Sequence, residues 1–284
     1  MTKQSQRLQI TDEELEAFTL AVKTRFGLDF TSYEKKSLKR GLVRLISKQD
    51  LKSMIGLWSK MLRDKTLIVS YIDELLVNLT EFFRNYDLWQ KLKDEVLKKI
   101  WHHDHLTFWH AGCSTGEEIY TMAIVLKESF MLHKAQTLAT DLSSKALAQA
   151  IEGKYNTILW NKYMNSYALY NPKGNGDRYF TKGEQVFYVR EQLKKHVRFQ
   201  RHNLVQDEMK ETFKVIFCRN VMIYFDNVLK MKVLELFYDA LEDDGFFIIG
   251  YYDMLPYESR EMFTLYCPST RIYTKNLNYK KENA

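Results

Sequence analysis

The sequence predicts an α/β protein, a doubly wound, mostly parallel sheet closed by an antiparallel C-terminal hairpin and preceded by a small all-α domain. Three observations carry this. About the first 85 residues show helical periodicity and no strand pattern. From Leu106 onward, short β-rich apolar segments alternate with helical ones. Only three Pro and 11 Gly occur in 284 residues, which disfavours a loop-rich all-β chain. A content of 45% hydrophobic and 27% charged residues is that of a globular chain with a core, in one large or two modest domains. It excludes a disordered, collagen-like or disulfide-dense class.

In the first domain, expected over 1–85 with its linker, Thr11 and Glu14 form a capping-box pattern. It opens an amphipathic helix through Leu15, Phe18, Leu20, Val22 and Phe26 that closes at Gly27. Further helices are expected over about Ser32–Ser47, about Leu51–Leu62, and from near Thr66 through Ile72 to Leu76. In the second domain, 86–284, strands are expected at Leu106–Ala111, Gln136–Asp141, Lys214–Cys218 and Gly245–Gly250. Helices are expected at Gly116–Met131, Ser143–Ile151 and Asn227–Leu241, with a closing hairpin at Phe263–Leu265 and Thr270–Thr274. Two short β-rich pieces around Lys182-Gly183 read as a small β-subdomain inserted at about 178–200.

The N-terminus lacks the apolar core of a signal peptide, and apolar runs such as Met122–Leu126 fall far short of the ~20 residues of a membrane helix. Cys113, Cys218 and Cys267 are odd in number and lack CxxC spacing, which fits reduced thiols and neither a disulfide framework nor a metal site. A cytoplasmic protein without membrane insertion is therefore expected. The net charge is +6, of which residues 1–80 carry +4, from 14 Lys/Arg against 10 Asp/Glu. An acidic partner accounts for that excess, and so does a solvated surface with a slight lysine bias.

The turn after the first strand reads His110-Ala111-Gly112-Cys113-Ser114-Thr115-Gly116-Glu117-Glu118. Its small residues let backbone approach a ligand at the carboxyl end of a sheet. It is not GxGxxG, and an acidic pair at the helix start would repel a pyrophosphate while suiting an ammonium group. S-adenosylmethionine, a phosphate-free adenosine with a charged amino-acid tail, fits. A tight turn with acidic residues favouring a helix N-terminus explains the turn alone equally well. Asp141 ends the second strand 25 residues after Gly116, where ribose hydroxyls are received, and an N-cap for the next helix is the alternative. Asn78–Arg84 and Phe217–Phe225 each place Asn, Arg and aromatics at an element end, and Arg grips carboxylates bidentately. Taken singly, each is also an aromatic core edge with a surface Arg.

Together NLTEFFR, AGCSTGEE, ATDL and FCRNVMIYF resemble the chemotaxis receptor glutamate O-methyltransferase (CheR-type) family, in order and over roughly residues 10–276. Ala148, Ile151, Gly153, Tyr155 and Arg178-Tyr179-Phe180 agree with it. The resemblance implies a Rossmann-like S-adenosylmethionine domain behind the helical domain. It implies a cofactor site of Asn78, Thr80, Arg84, Glu117 and Asp141, with Gly112 in the loop, Asn203 and Leu204 beside the adenine, and Arg219 and Asn220 after the fourth strand. Arg84 and Tyr224 are then nearest the methyl group and the acceptor carboxylate, with S-adenosylhomocysteine as product. A glutamate is already ionised near neutral pH, with a pKa of ~4.3, so no general base is needed and none is evident.

Lys36, Arg40 and Arg44 share a helix face at i, i+4, i+8. The family uses such a helix, bordering the active site, to meet Glu-rich receptor helices, whereas a solvated helix face explains the charges alone. The implied partner is the cytoplasmic helices of methyl-accepting chemotaxis receptors, met by a monomer, with no nucleic acid involved. Other acceptors on the same fold, or a catalytically silent cofactor-binding signalling protein, are the competing readings. Three departures from the family stand out. Phe213-Lys214 replaces Phe-Asp, Gly250-Tyr251-Tyr252-Asp253 replaces Gly-x-Ser-Glu, and Asp243-Asp244-Gly245 replaces Pro-Gly-Gly. The short turn at Lys182-Gly183 resembles family members that do not dock a receptor C-terminal peptide.

Overall fold

A computed structural model describes residues 8–64, 66–75 and 80–280. The chain divides into two compact units, Met1–Val77 with Ile223–Lys230, and Asn78–Met222 with Met231–Ala284.

The first unit is helical, with α1 (Asp12–Phe26), α2 (Lys35–Lys48), α3 (Met54–Arg63) and α4 (Leu67–Leu75). The expected capping box forms at Thr11 and Glu14, and Gly27 closes α1 at φ 70°, a left-handed turn that glycine adopts without a Cβ penalty. The buried stripe of α1 is Leu15, Phe18, Thr19 and Val22. Leu20, expected on that stripe, is 59% exposed, because the 100° step of the helix turns it away from Phe18 and Val22. α2 begins three residues later than the pattern suggests. The Glu34 carboxylate accepts the backbone N–H groups of Lys36 and Ser37, and Tyr33 is drawn into an antiparallel bridge with Phe225. The core is largely aliphatic, and within it Phe18 and Phe30 both pack edge-on to Tyr71.

The second unit starts with α5 (Tyr86–Lys91), which passes through a wider turn at Leu92–Val96 into α6 (Leu97–Ile100). β1 (Leu106–Ala111), α7 (Glu117–Glu128), β2 (Ala135–Asp141) and α8 (Ser144–Glu152) follow. The insertion contains β3 (Lys154–Asn156), α9 (Trp160–Tyr170), β4 (Phe180–Lys182), β5 (Val186–Val189) and α10 (Glu191–Lys194). Then come β6 (Val197–Arg201), β7 (Phe213–Cys218), α11 (Asn227–Ala240), β8 (Leu241–Ile249), β9 (Phe263–Cys267) and β10 (Ile272–Lys275).

Seven strands form one sheet in the order β6-β2-β1-β7-β8-β10-β9. The first five are parallel to their neighbours, and β10 is antiparallel to both β8 and β9, the expected doubly wound sheet with its closing hairpin. β1 and β7 are buried almost along their whole length, as strands covered by helices on both faces must be. A separate antiparallel sheet, β3-β5-β4, is the small insertion. Two features differ from the sequence pattern. Its third strand comes from Lys154–Asn156, and Val197–Phe199, which the pattern groups with the insertion, belongs to β6 at the edge of the large sheet. α10 returns the chain in a crossover, so β6 runs parallel to β2 instead of extending the small sheet.

Two of the departures answer one another. Lys214 is buried at the start of β7, and its ammonium pairs with Glu242 at 2.7 Å and with Asp244. Burial works against the charged ammonium, but the hydrogen bonds and charges of these two carboxylates outweigh it and raise the Lys214 pKa. Lys214 and the acids at the start of β8 thus form a single electrostatic unit at the amino end of the sheet.

Candidate active site

The order β2-β1-β7 makes a switch point, because the chain leaves β1 toward β2 on one side and reaches β7 on the other. Ligands of open α/β sheets bind outside the carboxyl ends of strands at such a point. The loops after β1 and β7 lie close together there. A Cβ on Gly112, at φ 82°, would fall 2.4 Å from Val221 Cγ2, so only glycine fits. Gly116 is also left-handed, at φ 95°, and a Cβ there would lie 3.0 Å from Ala150 Cβ. Four non-glycine residues of this region have positive φ as well, namely Phe83, Asn85, Ser114 and Asn220. Such strained backbone persists only where its surroundings over-determine it, and it collects at ligand sites.

The acidic pair divides into two environments. Glu117 is 4% exposed, and burial pushes its pKa up to about 7 against the hydrogen bonds from the Thr115 hydroxyl (2.7 Å) and the Tyr163 hydroxyl (3.3 Å). No cation pairs with it among the described residues. A buried carboxylate in that condition suits an ammonium ligand. Glu118 is neutralised within the protein. Burial works against its charge, but the Arg219 guanidinium (2.8 Å) and a hydrogen bond with His110 Nδ1 (2.9 Å) hold its pKa below the ordinary carboxylate value. Only Glu117 therefore remains to meet a cationic ligand.

Asp141 lies at the end of β2 and is 6% exposed. Its two oxygens accept the N–H groups of Ser114 and Ser143, each at 2.8 Å, so it shapes both adjoining turns. It is therefore both the acid at the strand end and a turn former for the next helix. Across the β2–β6 pairing the chain emerges at Asn203 and Leu204, both largely buried, with the His202 N–H donating to the Asp141 carbonyl at 3.1 Å. The Asn203 amide oxygen accepts from Val205 N–H, and its carboxamide nitrogen donates to Gln206. These backbone strands bring Asp141, Asn203 and Leu204 to one end of the sheet.

Phe82 and Phe83 anchor the turn that bears Arg84. Phe82 packs edge-on to Tyr155, Tyr163 and Phe180, and Phe83 stacks on Tyr170 at 4.9 Å. The Phe83 N–H donates to Thr121 Oγ1 (3.0 Å), which ties the turn to the same helix that carries Glu117. Thr80 enters this turn half-buried, and Asn78, expected in the site, lies outside the described residues. Arg219 is expected to bind cofactor, yet its side chain is only 2% exposed and its guanidinium is occupied by Glu118, Asn85 and the Arg84 carbonyl. Asn220, left-handed at φ 60°, donates its N–H to the Asp253 carboxylate at 2.6 Å, and Gly250 N–H does the same at 2.8 Å. Asp253 therefore supplies a buried carboxylate at the position where the family resemblance leads one to expect Glu.

Tyr224, Lys36, Arg40 and Arg44 belong to the first unit. The Tyr224 carbonyl accepts from Glu34 N–H at 2.8 Å, which ties that segment to the start of α2. Lys36, Arg40 and Arg44 are all exposed on α2, as their spacing requires. Arg44 is paired with Glu74, whereas Lys36 and Arg40 have no ion pair among the described residues.

Several residues of the site escape sequence reasoning. His110, Asn85, Ser114 and Asp253 act through contacts with residues distant in the chain or through backbone geometry. The only sequence signal for them is a polar residue at the end of an apolar strand or next to a motif Arg. No described group of three or more His, Cys, Asp or Glu is arranged to hold a metal ion.

A sheet switch point with a glycine-pinned loop and an acid at the end of β2 is the ligand-binding layout of open α/β sheets, and the family match makes the class an S-adenosylmethionine-dependent methyltransferase. Comparison with known proteins specifies it further. Residues 78–272 match the S-adenosylmethionine-binding domain of CheR methyltransferases, and residues 13–76 match the all-alpha CheR domain. The chain belongs to the CheR methyltransferase family. It is 31% identical to a chemotaxis protein methyltransferase of Listeria innocua, over 82% of this chain and 87% of that one. A chemotaxis protein methyltransferase of Borreliella burgdorferi is 31% identical, over 86% and 89%. That of Salmonella typhimurium is 27% identical, over 88% and 87%. S-adenosylmethionine is accordingly the cofactor.

Replacing Asp141 with Ala is expected to weaken S-adenosylmethionine binding by about 1.5–2 kcal/mol, or ~10–30-fold, through lost hydrogen bonds to a charged group. Calorimetric titration checks this, and unchanged affinity would remove Asp141 from the site.

Proposed function

We propose that the protein methylates glutamate side chains of methyl-accepting chemotaxis receptors, giving glutamate methyl esters. The observation that carries this reading is the buried Glu117 carboxylate, which no cation pairs with among the described residues, in the loop-to-helix turn after β1 of a CheR-family domain. It suits the amino-acid end of the cofactor, and Asp141 suits the ribose. The bound cofactor supplies an electrophilic methyl on a sulfonium. The chain's own task is to bind, desolvate and aim an acceptor that is already ionised. Arg84, on its doubly strained turn, is assigned to orient the acceptor carboxylate, and Tyr224 is assigned to acceptor contact on the family resemblance alone. The names of the Listeria innocua, Borreliella burgdorferi and Salmonella typhimurium relatives, chemotaxis protein methyltransferases, support the acceptor class.

The exposed cations of α2 are the proposed receptor-facing charges. Lys36 and Arg40 carry more of this than Arg44, whose charge is partly answered by Glu74. Reversing Lys36 and Arg40 to Glu is expected to raise KM for receptor about 10-fold while leaving cofactor affinity unchanged. The wild-type rate should fall with salt, since exposed charges are screened over ~8–10 Å. Initial rates at two salt concentrations check both points, and a flat salt response would make this face a solvated surface. The decisive test of the reaction is transfer of labelled methyl from S-adenosylmethionine to receptor-bearing membranes of the same cell. A base-labile ester is the expected product. A base-stable product would assign a different acceptor atom.

A further inference from the structure

A buried chain of polar groups runs beneath the site. His110 sits at the carboxyl end of β1, fully buried and stacked on Phe217 with the rings 4° from parallel. Its Nε2 has no hydrogen-bond partner, which assigns the donated proton to Nδ1 and directs it at Glu118 Oε1. The other oxygen of Glu118 accepts from Arg219 Nη1 at 2.8 Å. Arg219 Nη2 then donates to Asn85 Oδ1 at 2.7 Å and approaches the Arg84 carbonyl at 3.4 Å, with the guanidinium 5.7 Å over Trp89. The indole N–H of Trp89 donates to that same carbonyl at 3.0 Å. The residues on either side of Arg84 are left-handed, at φ 52° for Phe83 and 58° for Asn85.

We propose that the buried His110–Glu118–Arg219 chain is a positioning device, clamping the strained Phe83–Asn85 turn so that Arg84 is presented to the acceptor carboxylate. This rests on the assignment of Arg84 as the orienting residue. Two left-handed residues flanking Arg84 need an external hold, and the clamp supplies it from three elements, β1, α7 and the loop after β7. A guanidinium buried against one carboxylate keeps a fixed direction here because Nη1 is held by Glu118 and Nη2 by Asn85, with Nε left without a partner. Arg219 therefore serves the reaction through the turn that it grips, and Glu118 and His110 serve by fixing Arg219.

The test uses the full chain and two variants that act at opposite ends of the clamp. Glu118→Gln keeps the shape and removes the charge. Asn85→Gly removes the amide acceptor while tolerating the left-handed φ, so it remains informative if the first variant fails to fold. Each is expected to lower kcat for methyl transfer ~10–100-fold, the effect of roughly ångström-scale misplacement, with cofactor affinity changed less than ~threefold by calorimetry. Each should also speed amide hydrogen exchange in a peptide spanning residues 82–90. In an Arg84→Ala background the kcat effect should vanish, because a group acting through Arg84 has nothing left to position. Full additivity in that background, or unchanged exchange in both variants, overturns the proposal. If Arg84→Ala itself leaves kcat unchanged, the clamp has no catalytic role and the proposal also fails. If wild type forms no base-labile ester, the glutamate reading fails, while the exchange measurement still judges the clamp separately.

Discussion

Replacing Glu117 by Gln is expected to raise the dissociation constant for S-adenosylmethionine about 100-fold, from the loss of a charge-assisted bond worth ~2–3 kcal/mol in a buried site. The same carboxylate predicts a pH dependence. In the free protein burial holds its pKa up to about 7, so below that pH it is increasingly protonated and has no charge to offer an ammonium group. Wild-type affinity should be flat above pH 7 and fall ~tenfold per pH unit below it, whereas the Gln variant should show no such slope. Calorimetry between pH 5.5 and 8 distinguishes the two curves. Stability moves in the opposite sense. A carboxyl whose folded pKa lies above its unfolded value favours folding when protonated, so this contribution is present below about pH 4.5 and is lost as pH rises through 7. The cofactor's ammonium should cancel that loss, making thermal stabilisation by cofactor larger at pH 8 than at pH 6.

Lys214→Asp is expected to destabilise the protein by about 3–5 kcal/mol, a fall of roughly 10 °C in Tm, by leaving a buried carboxylate against Glu242 and Asp244. The family resemblance makes Asp the usual residue here, so the substitution looks conservative in sequence and is not so in this structure. Lys214→Met should cost less, since it buries no charge and the two acids lie near solvent, where they can rehydrate. The swap Lys214→Asp with Asp244→Lys should restore part of the loss. Urea or thermal unfolding of the three variants checks the order. A Lys214→Asp protein as stable as wild type would mean that the two acids do not depend on Lys214.

Much of the architecture is legible in the sequence because it follows from local rules. The apolar runs of β1 and β7, the capping box at Thr11 and the left-handed Gly27 each fix an element within a few residues of chain. The ordered motifs likewise identify the family, whose domains match residues 13–76 and 78–272. Leu20 and Val197–Phe199 were less legible. A single apolar residue does not reveal which face of a helix is buried, and a short strand does not reveal which sheet will receive it.

What the sequence by itself determined is the alternation of strands and helices that builds β1, β2, β7 and β8, the two-part layout and the cofactor class. Only the tertiary structure decided how adjacent, chemically identical side chains differ. Glu117 and Glu118 are neighbours, yet one is buried without a cation and the other is paired with Arg219, 101 positions away. The same holds for Lys214, whose charge is tolerable only because Glu242 and Asp244 arrive from the next strand. The physical reason is that the charge state of a buried group depends on dielectric and on partners within a few ångströms, and the chain's folding in space, not its local spacing, brings those partners together.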